Sequence, residues 1–238
     1  MLYPSPKKIQ LTASPAKWSL HASTSVLVLV GLHHIRSLPD VAESQLMQHL
    51  VQITNKAKAL DIPIVDLYGD DLIQGMQQLG EYAASHPQLI FAGQITPTLK
   101  QVLPYLQSVT ETICVVDDAI LLPNLEQHIQ WIDTISKQGF HHVNSYTLNR
   151  LWSLTAPAEY ILSHKGILLA LAEQLNMDAL EIDPKVALKD YGLDSVAIVS
   201  MVGLWRANGA NIRYEDFQPS LNLLQLLQIL KSPISSTS

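Results

Sequence analysis

A serine opens the most apolar helical pattern in the chain. The segment Asp190-Tyr191-Gly192-Leu193-Asp194-Ser195-Val196 closes a long loop, and within residues 196–205 only Ser200 and Gly203 are not apolar. Asp194-Ser195 therefore places a hydroxyl at a helix N-terminus, where the helix dipole and backbone N–H groups favour nearby negative charge. A serine so placed is suited to carry a phosphodiester. Ser and Asp are also preferred helix N-caps, and most such pairs before a helix do nothing more. A stripe through Val199, Val202 and Trp205 is predicted to face a bundle core. Ile198 and Met201 then lie nearer the serine's open side, where exposed apolar side chains would mark a docking surface.

The other candidates for chemistry are weaker. His33-His34 follows a strand pattern, at the carboxyl end where open α/β sheets place ligands. Adjacent histidines on an extended segment point apart, and no third ligand stands at a useful spacing, so no metal site is expected. Asp117-Asp118 follows another strand pattern and fits either acid–base work or loop capping. Cys114, the single cysteine, lies between Ile113 and Val115 and reads as a buried, inert thiol. One cysteine also excludes a disulfide framework. His141-His142 and His164 join no constellation, and no nucleophile elbow or phosphate-binding glycine loop is present.

The elements that must position these groups fall into two kinds. Residues 25–30 are a Val/Leu run typical of a strand buried on both faces. A helix pattern follows over 40–58, with Leu46, Leu50 and Ile53 on one face. Further strands are predicted at 62–68, at 89–92 closed by Gly93, at 113–116, and at 142–146. Helical stretches lie between them: 70–85, one begun by Thr96-Pro97, and 124–137 with Gly139 as its stop. Alternation of this kind implies a parallel sheet covered on both faces. The small, polar, proline-containing stretch 153–159 is predicted to be a linker. Beyond it only helices are expected: 160–175, one from about Ser195 to Ala207 ended by Asn208-Gly209, and 221–230 capped by Ser220. Residues 232–238 are predicted to be a disordered tail. The chain thus divides at about residue 157 into an α/β part and a small helical bundle.

Composition narrows the setting. Of 238 residues, 47% are apolar and 15% charged, which excludes a disordered chain. The longest apolar run, 26–32, is too short to cross a bilayer. Lys7 and Lys8 are followed by no apolar run, so no secretory signal is expected. A formal charge of −6 argues against nucleic acid as a partner. The expectation is a cytoplasmic, globular, slightly acidic protein without nucleic-acid or membrane partners.

The segment around Ser195, with a helix pattern before it and another after it, resembles the carrier-protein family of fatty acid, polyketide and nonribosomal peptide synthesis. The resemblance spans 160–230 and implies a four-helix bundle in which Ser195 receives 4′-phosphopantetheine. Asp-Tyr-Gly-Leu-Asp-Ser-Val, Trp205-Arg206 and Pro219-Ser220-Leu221 are most similar to the aryl carrier subgroup. That subgroup carries 2,3-dihydroxybenzoate or salicylate in siderophore assembly. The implied partners are a phosphopantetheinyl transferase, a stand-alone aryl-acid adenylating enzyme and a condensation or cyclisation domain. Asp194, Val196, Ile198 and Met201 would lie on the face those partners meet, although Ile198 and Met201 equally fit a core position.

An α/β domain ahead of an aryl carrier resembles the bifunctional isochorismatase–aryl carrier proteins. Trp18, the strand 26–30, Ile62-Pro63-Ile64, Leu89-Ile90-Phe91-Ala92-Gly93 and Val115-Val116-Asp117-Asp118-Ala119 carry that resemblance. It implies an isochorismatase-like (cysteine hydrolase-like) parallel-sheet domain at 1–157, shortened, and a carrier domain at 158–238. The family's catalytic groups do not carry over. Its acid, in Asp-x-Gln at the end of the first strand, is replaced by Gly31-Leu32-His33. Its lysine-bearing strand, between those matched by 62–68 and 89–92, is missing. Lys100 stands where many relatives have a cysteine. The resemblance therefore implies a domain inactive as an isochorismatase, kept for folding, oligomer contacts or partner docking. Two other readings stay open: a hydrolase-lyase rebuilt from His33, Asp118 or Lys100, and a generic acyl carrier fused to a scaffold.

Overall fold

Strand β1, Ser25–Val30, is buried along its whole length, with alternate side chains entering two separate cores. Val26, Val28 and Val30 face one layer of helices, and Leu27 and Leu29 face the other. The computed structural model describes residues 2–4, 6, 18–67, 72–175 and 177–231. Lys7, Lys8 and the tail 232–238 lie outside the described residues. The chain divides into two units, Met1–Thr155 and Ala156–Ser238.

In the first unit β1 is followed by α1 (Leu32–Arg36), α2 (Gln45–Ala59), β2 (Ile64–Leu67), α3 (Leu72–Ala83) and β3 (Gln88–Gln94). Then come α4 (Pro97–Val109), β4 (Thr112–Leu121), α5 (Leu125–Lys137), β5 (His141–Val143) and α6 (Ser145–Leu154). The strands form an all-parallel sheet in the order β2-β1-β3-β4-β5. This is a doubly wound order whose switch point lies between β1 and β3. Helices α3, α4 and α5 supply Leu79, Leu99, Leu103, Trp131 and Ile132 to one core. Helices α1, α2 and α6 supply Ile35, Leu50, Ile53, Leu148 and Trp152 to the other. Trp152 also donates its indole N–H to Ser25 Oγ at 3.0 Å, satisfying two buried polar groups at once. Ahead of β1, Trp18 stacks on His141 with ring centres 4.5 Å apart.

Several boundaries differ from those the sequence predicts. Helix α2 begins at Gln45, because Asp40 adopts a left-handed conformation (φ 57°) and Ser44 caps the Met47 N–H. His33 and His34 lie on the short helix α1 and not on an extended segment. Tyr68 falls outside the described residues. Gly93 lies within β3 and does not close it, since pairing continues to Gln94. Strand β4 runs past 113–116 because it bows away from β3: Phe91 pairs with Val115, but Gly93 pairs with Ile120. Asp117 and Asp118 therefore sit in a bulge and not beyond a strand end. Strand β5 stops at Val143, and Asn144 caps α6 through the Thr147 N–H, so Tyr146 is helical. Helix α6 reaches Leu154, which leaves only residues 155–157 of the predicted linker irregular.

The second unit has four α-helices among its described residues: α7 (Ala158–Ile161), α8 (His164–Leu175), α9 (Ser195–Ala207) and α10 (Leu223–Lys231). Three 3₁₀ turns, Ala179–Glu181, Leu188–Tyr191 and Tyr214–Asp216, connect them. The predicted helix over 160–175 is two helices, because Ser163 Oγ accepts the Gly166 N–H and starts α8 afresh. Helix α10 starts two residues later than predicted, and its cap is Asn222, not Ser220. Asn222 Oδ1 accepts the Gln225 N–H, while Gln225 Oε1 accepts the Asn222 N–H, each at 3.0 Å. Leu221 is kept out of the helix by its carbonyl, which accepts the Leu188 N–H at 2.8 Å.

Candidate functional site

The loop before α9 is built to hold its last residues still. The turn Leu188–Tyr191 ends at Gly192, whose φ of 87° lies in the left-handed region that glycine adopts without strain. Leu193 is buried and pins the next step of the chain. Tyr191 Oη accepts the Asp183 N–H at 2.7 Å, tying the turn to the segment after α8. Asp194, in extended conformation, then accepts the Ala197 N–H on Oδ1 at 2.7 Å. Ser195 follows as the first residue of α9. It is exposed, and Ser195 Oγ makes no hydrogen bond to another described residue.

The face of α9 is rotated relative to its predicted stripe. Val202 and Trp205 are buried as expected, but Val199 is 60% exposed and Met201 only 2% exposed. Met201 is therefore a core residue and is corrected as a docking position. Ala197, Met201 and Trp205 recur at four-residue spacing and form the inward edge. Trp205 stacks on Phe217, with ring planes 8° apart. Val196 is 76% exposed beside the serine, and Ile198 is half-buried. The near-continuous apolar sequence of α9 hides which edge is buried, since every rotation of it looks acceptable.

Two cavities run beside α9. One of about 260 Å³ touches Ser195 and is walled by Leu193, Ile198, Phe217 and Leu221. The other, about 390 Å³, lies against Val199, Val202 and Arg206. Tyr214 lines both. Sequence reasoning missed Tyr214 and Arg213; a tyrosine flanked by arginine and two acids gave no periodic signal.

In the first unit the remaining candidates are bound up in local structure. Asp118 accepts both the Ser145 N–H and the Ser145 hydroxyl at 2.7 Å, so it anchors the start of α6. Burial pushes the Asp118 carboxyl above the usual range, opposed by the Ser145 bonds and by His49. His49 Nδ1 lies 2.8 Å from the Asp118 carbonyl oxygen, and His142 Nδ1 lies 2.9 Å from Asp117 Oδ2. Neither histidine pairing was read from the sequence, because the bulge that aims the two aspartates depends on strand register. His33 and Lys100 are exposed on helices that cover opposite faces of the sheet, so the structure does not bring them together. Cys114 is fully buried, and burial drives its thiol far above the ordinary range. No group of three metal-binding side chains occurs among the described residues. Nor is any described helix long and apolar enough to cross a membrane.

Residues 165–230 match the family model of the phosphopantetheine attachment site. They are a carrier domain, on which 4′-phosphopantetheine is held covalently on a serine. Carrier domains work with a phosphopantetheinyl transferase and with synthetase partners. Comparison with curated proteins returned no match.

Proposed function

We propose that the protein is an aryl carrier of a siderophore-type nonribosomal assembly line, and that Ser195 is its attachment residue. The observation that carries this reading is the exposed, unbonded Ser195 hydroxyl at the head of α9, inside the matched residues. The surroundings fit the group. Backbone N–H groups of the first turn of α9 favour the phosphate's negative charge, and the cavity beside Ser195 leaves space for the arm. Asp194 fixes the helix start, and Val196 and Ile198 border the serine as apolar contacts for partners.

In the modification step Ser195 Oγ attacks the pantetheine-side phosphorus of coenzyme A. The new O–P bond forms as the phosphoanhydride bond breaks, adenosine 3′,5′-bisphosphate leaves, and the serine proton passes to a base of the transferase. When bound, the arm supplies a thiol that holds the aryl acid as a thioester, formed from an aryl adenylate with release of AMP. The adenylate comes from a separate adenylating enzyme, and the acyl group passes to a condensation or cyclisation domain.

The α/β part, 1–157, is read as a non-catalytic relative of isochorismatase, and 158–238 as the carrier. In support, Gly31 closes β1 in a left-handed conformation against the Gln94 side chain, where the family's acid would stand. Between β2 and β3 the described residues contain α3 and no strand. Lys100 stands exposed on α4 in place of a cysteine.

The test is intact mass after incubation with coenzyme A and a broad phosphopantetheinyl transferase. A gain of one phosphopantetheinyl group on the wild type, absent in Ser195→Ala, is expected. No gain on the wild type, or an equal gain in the variant, overturns the assignment. Pyruvate release from isochorismate above the spontaneous rate would overturn the inactive-domain reading.

A further inference from the structure

Between Leu188 and Leu193, both buried, a single side-chain hydrogen bond among the described residues ties the serine's loop to another segment. It runs from the Asp183 N–H to Tyr191 Oη at 2.7 Å, across eight positions of chain. From this tie we infer that Tyr191 is a positioning residue for the modification of Ser195. Its hydroxyl holds the loop in the form that the phosphopantetheinyl transferase receives. The inference rests on the carrier reading above and adds to it the residue that keeps the acceptor serine presented.

The loop needs such a tie because little else holds it. Its own bonds are local. The Asp190 N–H reaches the Ala187 carbonyl and the Gly192 N–H that of Lys189, each at 2.9 Å, while the Leu193 N–H lies 3.4 Å from that of Leu188. Gly192 is exposed, and no atom beyond its chain neighbours lies within 4 Å of where a Cβ would stand, so no packing restrains it. On the other side of the tie, residues 183–186 are exposed throughout. Their remaining hydrogen bonds to the rest of the unit are longer. The Leu224 N–H lies 3.3 Å from the Pro184 carbonyl, and Asn222 Nδ2 lies 3.5 Å from that of Lys185. The Tyr191 bond is the shortest link between the two exposed segments.

Such a bond supplies position more than stability. It is exposed, so water takes the place of a missing acceptor and little folding energy is lost. What is lost is the single arrangement of the loop. The transferase must bring Ser195 Oγ within about 3.5 Å of a phosphorus, in line with its leaving group. A protein whose receptive form is only partly populated binds correspondingly more weakly, while the step inside the complex keeps its rate. Loss of the tyrosine hydroxyl should therefore raise KM for the carrier and leave kcat unchanged. One neutral hydrogen bond sets the ceiling of that rise at about fivefold.

The test uses the full-length protein as wild type, Tyr191→Phe and Ile167→Val, with coenzyme A and a broad phosphopantetheinyl transferase. Initial rates of mass gain are followed against carrier concentration. Tyr191→Phe keeps the ring, and its KM should rise about two- to fivefold at constant kcat. In ¹⁵N-labelled protein its Asp183 amide should exchange with solvent faster, with the amides of α8 and α10 unchanged. Ile167→Val trims a buried side chain of α8 and should lower the urea midpoint while leaving KM at the wild-type value. An equal rise of KM in Ile167→Val would reduce Tyr191 to a structural role and overturn the inference. A raised KM in Tyr191→Phe with Asp183 exchange unchanged would make the hydroxyl a direct contact of the transferase, which overturns the tether. An unmoved KM overturns it as well, whether or not the Asp183 amide is freed. No mass gain on the wild type removes the carrier reading itself, and the positioning role with it.

Discussion

Asp194 Oδ1 and the Ala197 N–H lie 2.7 Å apart, and this bond caps α9 from the residue just before the exposed Ser195. The cap and the modifiable hydroxyl are neighbours, so the aspartate sets the backbone from which the serine projects.

Asp194→Ala should destabilise the carrier domain by about 1 kcal/mol, because an orphan helix N–H loses its acceptor. Asp194→Asn keeps that acceptor and should keep most of the stability. Urea midpoints compare the two directly. Equal losses in both variants would show that the carboxylate charge, and not the cap, is what α9 needs.

Burial along α9 separates two residues that the sequence groups together. Met201→Ala removes a fully enclosed side chain and should cost about 2–5 kcal/mol. Val196→Ser acts on a side chain three-quarters exposed and should stay within about 0.5 kcal/mol. Val196→Ser should instead slow modification of Ser195, read by mass against time. A Met201→Ala variant as stable as the wild type would return that residue to the surface.

Local signals in the chain were legible where chemistry acts over a few residues. The Val/Leu run of β1, the Thr96-Pro97 start of α4, the span of α5 up to Lys137 and the Asp194 start of α9 are all readable without a fold. What stayed hidden depends on partners far along the chain. The bulge of β4 exists only against β3, so the aim of Asp117 and Asp118 could not be read. The start of α10 is set by Leu188, more than thirty residues earlier, which holds Leu221 out of the helix. The buried edge of α9 was ambiguous because apolar residues surround it, and Tyr214 acquires significance only when the turn carrying it packs beside that helix.

Two glycines with positive φ should respond differently to alanine. At Gly192 nothing stands near the position of an added Cβ, so Gly192→Ala meets only the backbone penalty, about 1–2 kcal/mol. At Gly93 the same atom would run into the Val30 carbonyl oxygen, across the β1 and β3 pairing. Gly93→Ala should therefore cost about 3 kcal/mol or more and broaden the unfolding of the α/β unit. Chemical denaturation followed by tryptophan fluorescence would read it, and a mild effect would mean that β1 and β3 can separate.

The α/β unit should also lose stability in mild acid through His128. Its imidazole is buried on α5, with Nδ1 3.0 Å from Tyr3 Oη, which in turn accepts the Leu122 N–H. Burial lowers its pKa below the ordinary 6.5, opposed by the Asp117 carbonyl and the Asp117 and Asp118 carboxylates. With the folded value below the unfolded one, the unfolded chain binds the extra proton. Stability is then complete above about pH 6.5 and falls as the pH drops through the folded value, by at most about 1.4 kcal/mol per pH unit. His141, lowered by burial and by His142, acts in the same direction, so the wild-type profile alone does not isolate His128. His128→Gln removes one titrating group and should flatten the profile below about pH 6.5. Tyr3→Phe strips both the Leu122 N–H of its acceptor and His128 Nδ1 of its partner, and should cost about 1 kcal/mol or more even above the titration range. Parallel pH profiles for the wild type and His128→Gln would show that the buried imidazole does not couple folding to protons.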